Sequence, residues 1–312
     1  MDGKQRVFLW RPVQVGETPT VRVRPSLIAA AMVALSSALY SCAAPGLWTD
    51  FTSISHGTST LGRLRHPKML PLRGRGYEVP DEWRSRRRNY GTDELVDAVQ
   101  RAAATVQAGD GRVRLGVGDM SRLRGGDVIG HSSHESGRDV DLIFYNVDRK
   151  GRPMRPPDEE MIHFDADGKV FVPRRMKRDY WQRDWRERRF DDARNWRLVE
   201  ALLADPQIRV QWIFVSDQLR ARLLAWARAN ERPSWLLSYA EVVIRQPKGS
   251  TPHDDHFHLR IYCSRGDRQY GCVDGEPLWK HEKKTSKYLG REWYRAALQQ
   301  QLDPMVLFLP RG

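Results

Sequence analysis

The sequence predicts an α+β domain built around a small, mostly antiparallel sheet with flanking helices. Three observations lead there. Helical and strand windows follow one another in mixed order rather than in strict alternation. Several strand candidates are joined by loops too short for the crossover helix that a parallel pair requires. Two of those strands alternate polar and apolar residues, as expected where one sheet face meets the core and the other does not. With 312 residues and 40% hydrophobic content the chain can bury such a core, which excludes a disordered or collagen-like protein.

Residues 43–76 mix Pro, Gly, Ser, Thr and Arg without a sustained apolar period, and are expected to form an irregular tether. The main domain is expected over residues 77–265. Thr92 is placed to cap a helix from Asp93 to Gln107, whose Leu95, Val96, Val99, Ala102, Ala103 and Val106 share one face, with Gly109 just beyond its end. Val113, Leu115 and Val117 alternate before Gly118-Asp119, and Val140, Leu142 and Phe144 repeat that pattern in the next strand. Residues 192–204 and 217–228 have helical spacing and flank a strand over 209–215, while 241–245 and 257–262 read as further strands. Between Arg174 and Arg194 basic and acidic residues interleave with Tyr180, Trp181 and Trp185, which fits a solvated helical face over packed aromatics or, more sharply, a polymer-binding ridge. Residues 266–312 form a C-terminal extension with an amphipathic window near Trp293–Leu302.

Lysine plus arginine number 52 against 39 acidic residues, a formal charge of +13 that suits nucleic acid, anionic lipid or an anionic cell wall. One apolar stretch, Ser26 to Tyr40, has about 15 residues against the roughly 20 of a membrane span, which excludes a polytopic membrane protein. It follows a basic leader (Lys4, Arg6, Arg11, Arg22, Arg24) and ends in Leu39-Tyr40-Ser41-Cys42, so residues 1–42 read as a secretory signal rather than a buried helix. The ending is similar to a lipoprotein box, which makes Cys42 a candidate for lipidation, with simple cleavage nearby as the alternative. Cys263 and Cys272 then remain, flanking a short turn, and in an oxidising compartment they can pair.

Five of the nine histidines fall in two windows, His131 and His134 in Gly130-His-Ser-Ser-His-Glu-Ser-Gly-Arg-Asp-Val-Asp141, and three in His253-Asp-Asp-His-Phe-His258. Along a strand Asp139 and Asp141 share one face while Val140 and Leu142 take the other; His256, His258 and Arg260 likewise oppose Phe257, Leu259 and Ile261. Two such strands side by side collect imidazoles and a carboxylate in one cleft. His134, Asp141 and His258 can then hold a catalytic zinc, leaving His256 free to take a proton from the attacking water or to stabilise the developing oxyanion.

In this order the residues resemble the penicillin-insensitive murein endopeptidases, within a wider group of lysostaphin-type, D-Ala-D-Ala and hedgehog-like metallopeptidases. Arg88-Asn-Tyr-Gly91, Val117-Gly-Asp-Met120 and Trp212-Ile-Phe-Val215 fall where that family has similar segments, so the resemblance covers roughly Tyr77 to Tyr262. It implies the small antiparallel-sheet core of those peptidases. It further implies one Zn2+ per chain on His134, Asp141 and His258, His131 at or beside the metal, His256 as the catalytic histidine and His253 lining the cleft. The implied activity is hydrolysis of the D-alanyl to diaminopimelyl cross-link, with peptidoglycan as partner, no nucleic acid, and a periplasmic or cell-envelope location. Asp167-Gly-Lys-Val170 lacks the histidine with which some members hold an additional metal, and the 174–194 insert has no counterpart in the family. The rival expectations are a D,D-carboxypeptidase or dipeptidase on the same metal core, and a non-catalytic wall-binding protein.

Overall fold

A computed structural model describes residues 53–111, 113–173, 185–275 and 277–279. The leader with Cys42, the window at 293–302 and residues 174–184 of the arginine-rich insert lie outside the described residues. Among the described residues no helix is long and apolar enough to cross a membrane.

The strands are β1 (Ile54–Gly57), β2 (Gly62–Arg65), β3 (Lys68–Met69), β4 (Arg73–Gly74), β5 (Tyr77–Glu78), β6 (Tyr90–Gly91), β7 (Leu115–Val117), β8 (Asp139–Ile143), β9 (Asn146–Val147), β10 (Arg189–Phe190), β11 (Val210–Phe214), β12 (Ile244–Arg245) and β13 (His256–Ile261). The helices are α1 (Asp81–Arg86), α2 (Asp93–Ala108), α3 (Asp192–Leu203), α4 (Asp217–Ala229), α5 (Ser234–Val243) and α6 (Arg265–Gln269). Seven strands form one sheet in the order β12-β11-β13-β8-β7-β5-β4, antiparallel except for β12 with β11 and β5 with β7. The expected α+β architecture is therefore present.

Sequence periodicity accounts for most of these elements. Thr92 caps α2 by accepting from the Leu95 amide at 3.3 Å, and the apolar face read from the sequence is buried along its whole length. The side chains of Asp191 and Ser216 cap α3 and α4 in the same way. Asn195 of α3 gives and takes one hydrogen bond each with the main chain of Tyr145 (2.8 and 2.9 Å), fastening the helix to the chain leaving β8.

Three expectations are corrected. Residues 54–74 are not irregular: β1 and β2 pair as a hairpin, its turn held by Thr58 Oγ1 accepting from Leu61 N at 2.9 Å, and Ile54, Leu64 and Leu70 are buried. The strands here are two to four residues long, too short for a period to emerge from Gly and Arg. Residues 241–243 are helical. Leu236, Ala240 and Val243 form one buried face of α5, and the β-branched run that suggested a strand contributes only Ile244–Arg245 to the sheet edge.

A boundary at 265/266 is also not where the fold stops. Gly57 bridges to Cys272, and the buried guanidinium of Arg138 donates to Ser55 Oγ (3.1 Å), Ile261 O (3.1 Å), Asp274 Oδ1 (3.1 Å) and Val273 O (3.2 Å). The disulfide Cys263–Cys272 closes the intervening turn, as the spacing allowed. Within that turn Asp267 is buried and its Oδ2 has no hydrogen-bond partner; burial and the nearby Glu94 push its carboxyl up to about 7.

Replacing both Cys263 and Cys272 by serine should lower the stability of the domain by about 2–3 kcal/mol through the freed loop, measurable by denaturant unfolding. Asp267 gives a pH signature. Its folded value lies above the unfolded one, so the folded chain holds a proton that the unfolded chain releases, and stability falls as pH rises from about 4 to 7. Asp267→Asn should therefore change little at acid pH and stabilise by up to about 4 kcal/mol above pH 7; an unchanged pH profile would show that Asp267 is not the group responsible.

Candidate metal centre

The site grows from the register of two central strands. In β8 and β13 Asp141 lies opposite His258 and Asp139 opposite Arg260, while Val140 faces Leu259 and Leu142 faces Phe257. Side chains alternate across a strand, so this register sends the apolar set into the core and the ionisable set to the other face. Phe144 meets Phe257 edge to face at 4.7 Å beneath the sheet. On the polar face Phe214 of β11, directly opposite His258, packs against its ring at 5.2 Å. This is the arrangement the alternation pattern predicts, now with its pairing fixed.

His134 arrives from the loop before β8. Its backbone is left-handed (φ 71°), rare for a residue with a side chain and most often kept at functional sites. Two glycines let the loop close: Gly137 has φ 77° and a side chain there would strike Leu64, while at Gly118 a Cβ would stand 3.2 Å from that of Asp141. Gly118 N donates to Asp141 O at 2.8 Å and Asp141 N to Asp119 O at 2.9 Å, so the chain leaving β7 is pinned beside the central carboxylate. The Arg88–Gly91 segment braces this loop from outside. Met120 N donates to Arg88 O, and Arg88 Nη1 donates to Asp119 Oδ2 and Ile129 O.

Around Asp141 Oδ1 stand three imidazole nitrogens: His134 Nε2 at 3.3 Å, His256 Nε2 at 3.4 Å and His258 Nδ1 at 3.5 Å. His131 Nδ1 lies 3.8 Å from the other oxygen, Oδ2, and its ring packs on His134 at 4.4 Å. Asp141 Oδ1 is buried without a hydrogen bond, as are both ring nitrogens of the fully buried His134. Orphaned buried polar atoms are costly and call for an explanation. A bound cation would supply it. Bonds of about 2.0–2.1 Å at tetrahedral angles place donor atoms roughly 3.3–3.4 Å apart, the spacing found here, and imidazole with carboxylate is the donor set zinc takes.

Outer carboxylates orient the rings. His258 Nε2 pairs with Asp139 Oδ1 at 2.8 Å, which leaves Nδ1 inward; His131 Nε2 pairs with Asp119 Oδ2 at 3.0 Å, and His256 Nδ1 with Asp255 Oδ1 at 2.7 Å. Burial and the neighbouring His134 push His258 down to about 3. Burial opposes charge on His134 and His256 too. There Asp141 raises the first, and Asp255 with Asp141 raises the second well above the usual imidazole range. Those two histidines in turn hold Asp141 well below the usual carboxylate range against its own burial.

The remaining histidine of the windows, His253, lies one layer out, its ring 5.2 Å from that of His256 and 5.8 Å from Phe214. Burial and the charge of His256 push it down to about 4. Sequence reading left Asp119, Asp254, Asp255 and His163 without roles. His163 Nδ1 is bonded to Asp254 Oδ1, and its Nε2 lies 3.8 Å from Asp255 Oδ2. A lone histidine in a loop carries no periodic signal, whereas the adjacency of Asp255 to His256 was visible in the chain.

The sequence model of the penicillin-insensitive murein endopeptidases matches residues 55–303. The chain belongs to this family. It is 28% identical over 223 residues to the penicillin-insensitive murein endopeptidase of Haemophilus influenzae, covering 71% of this chain and 67% of the relative. Against those of Klebsiella pneumoniae and Salmonella newport it is 26% identical over 227 residues and 29% over 230, each covering 72% of this chain and 70% of the relative. In this murein endopeptidase family member the segments named from the sequence now have structural places: Arg88–Gly91 and Val117–Met120 clasp the loop that presents His134, and Trp212–Val215 supplies the strand behind His258.

A cation bound at Asp141 should stabilise the folded chain by mass action. Adding Zn2+ to chelator-treated protein at about a hundredfold excess over Kd should raise the melting temperature by on the order of 5–10 °C, and Asp141→Asn should abolish that shift.

Proposed function

We propose that the protein is an exported zinc endopeptidase that hydrolyses the D-alanyl to diaminopimelyl cross-link of peptidoglycan. The observation that carries this reading is the buried, unpartnered Asp141 Oδ1 with imidazole nitrogens at 3.3–3.5 Å. His134, Asp141 and His258 are assigned as the ligands, with His131 beside them as a fourth donor. When bound, zinc supplies Lewis-acid polarisation of the scissile carbonyl and lowers the pKa of water.

Exposure separates the two histidines of β13: the His258 side chain is 7% exposed, whereas that of His256 is 17% exposed on the same strand face. His256 is thus the one of the two open to an approaching substrate, with Nε2 turned to the cluster. In its neutral form it takes the proton of the attacking water at Nε2 as oxygen bonds to the carbonyl carbon, and returns it to the departing amine nitrogen as the C–N bond breaks. His253, neutral and one layer out, lines the cleft.

The +13 charge is complementary to an anionic wall polymer, and the leader over residues 1–42 delivers the chain to the periplasm or cell envelope, with Cys42 as the candidate lipid anchor point. The names of the relatives support murein as substrate.

Purified sacculi digested with the protein and then with a muramidase should yield monomeric in place of cross-linked muropeptides, identifiable by mass. Release of terminal D-alanine alone would mean a carboxypeptidase, and no product a wall-binding protein. His256→Ala should keep near-normal zinc and fold yet lose on the order of 10²–10⁴-fold in rate. His258→Ala should lose zinc and activity together; a His256 variant that cleaves at the parental rate would shift the proton-transfer role to His131 or His253.

A further inference from the structure

Each histidine around the centre except His134 has its own carboxylate, but these carboxylates are not equivalent. Asp139 is buried and accepts from Arg260 Nε at 2.6 Å as well as from His258, and Asp119 takes Arg86 and Arg88 as well as His131. Loss of Asp139 would take the carboxylate from Arg260, and loss of Asp119 would take one from Arg86 and Arg88. The ion-pair partners of Asp255 among the described residues are two imidazoles only: Oδ1 meets His256 Nδ1 at 2.7 Å and Oδ2 faces His163 Nε2 at 3.8 Å.

Behind Asp255, His163 is buried, bonded through Nδ1 to Asp254, and its Nε2 has no hydrogen-bond partner. Asp254 is itself fixed, because its carbonyl accepts from Phe164 N at 2.8 Å. The result is a row, Asp254–His163–Asp255–His256, ending at Asp141 Oδ1.

We propose that Asp255 is a positioning residue for the peptidase reaction, fixing the ring of His256 through Nδ1 so that Nε2 faces the metal cluster. A neutral imidazole has one N–H and one lone pair; placing the hydrogen on Nδ1 against a carboxylate puts the lone pair on Nε2. Without that acceptor the ring is free to turn about its last bond, and the productive tautomer and orientation are no longer selected. The inference rests on the proton-transfer role of His256 given above.

The test is a double-mutant cycle on a soluble cross-linked muropeptide, with kcat, KM and zinc content measured for Asp255→Ala, His256→Ala and the pair. Asp255→Ala should lower kcat on the order of 10–100-fold, as removal of an orienting carboxylate commonly does, with KM and zinc content unchanged. In the His256→Ala background the same change should cost less than about twofold, because there is no ring left to orient. Equal losses in both backgrounds would make Asp255 a structural support and overturn the inference, as would a parental kcat in Asp255→Ala alone. Should the alanine protein fail to fold, the isosteric Asp255→Asn should still lower kcat several-fold at constant KM, since an amide accepts more weakly than a carboxylate; a parental kcat there overturns the inference. The two levels of reading fail differently. Parental cleavage by His256→Ala removes the role of His256 and this inference with it, whereas parental cleavage by the Asp255 variants beside a crippled His256→Ala removes only the inference.

Discussion

Asp141 Oδ1 is a carboxylate oxygen taken out of water, surrounded by imidazole nitrogens and hydrogen-bonded to none of them. Such an atom costs free energy, and the surrounding structure is what keeps it in place. Strand β8 holds it on one side through the β13 register and on the other through the Gly118–Asp119 turn. His134 is delivered over it in a left-handed conformation that the packed loop sustains. In a low-dielectric setting each of these groups feels its neighbours strongly: Asp141 pushes His134 and His256 up, while burial and His134 push His258 down.

Much of this was readable in the chain because a strand has a period of two. Once Asp139/Asp141 and His256/His258 are seen to alternate with Val140, Leu142, Phe257 and Leu259, only one face can be core, and the two polar faces have one reason to meet. The helical face of α2 and its Thr92 cap were equally plain. The strands between Ile54 and Gly74 were hidden because two to four residues of Gly, Arg and Lys hold no pattern; their pairing is decided by what they lie against. In α5 a β-branched run at the helix end outweighed a face that begins five residues earlier, at Leu236.

The outer carboxylates illustrate the same limit. Asp139 could be placed beside the ligands by counting along β8, but its claim on both His258 and Arg260 depends on the neighbouring strand. His163 comes from a loop 91 residues before its partner Asp254, and nothing local marks it. Asp139, Asp141, His256 and His258 are written in a strand pattern, whereas His163 and the pairings of the outer carboxylates are assembled by tertiary structure, so the pattern recovers the first group better than the second.

The joining of β1 to the turn beyond β13 has a mechanical consequence. Gly57 pairs with Cys272, and Arg138 ties Ser55 to Val273 and Asp274, so the first hairpin of the described fold is stitched to the turn that follows β13. Arg138 directly precedes β8 and also donates to Ile261 O at the end of β13, so the stitch runs through the ends of the two strands that carry Asp141 and His258. The hairpin and the disulfide-closed turn therefore act as a clamp on that strand pair, and loosening either end loosens the register on which the centre depends.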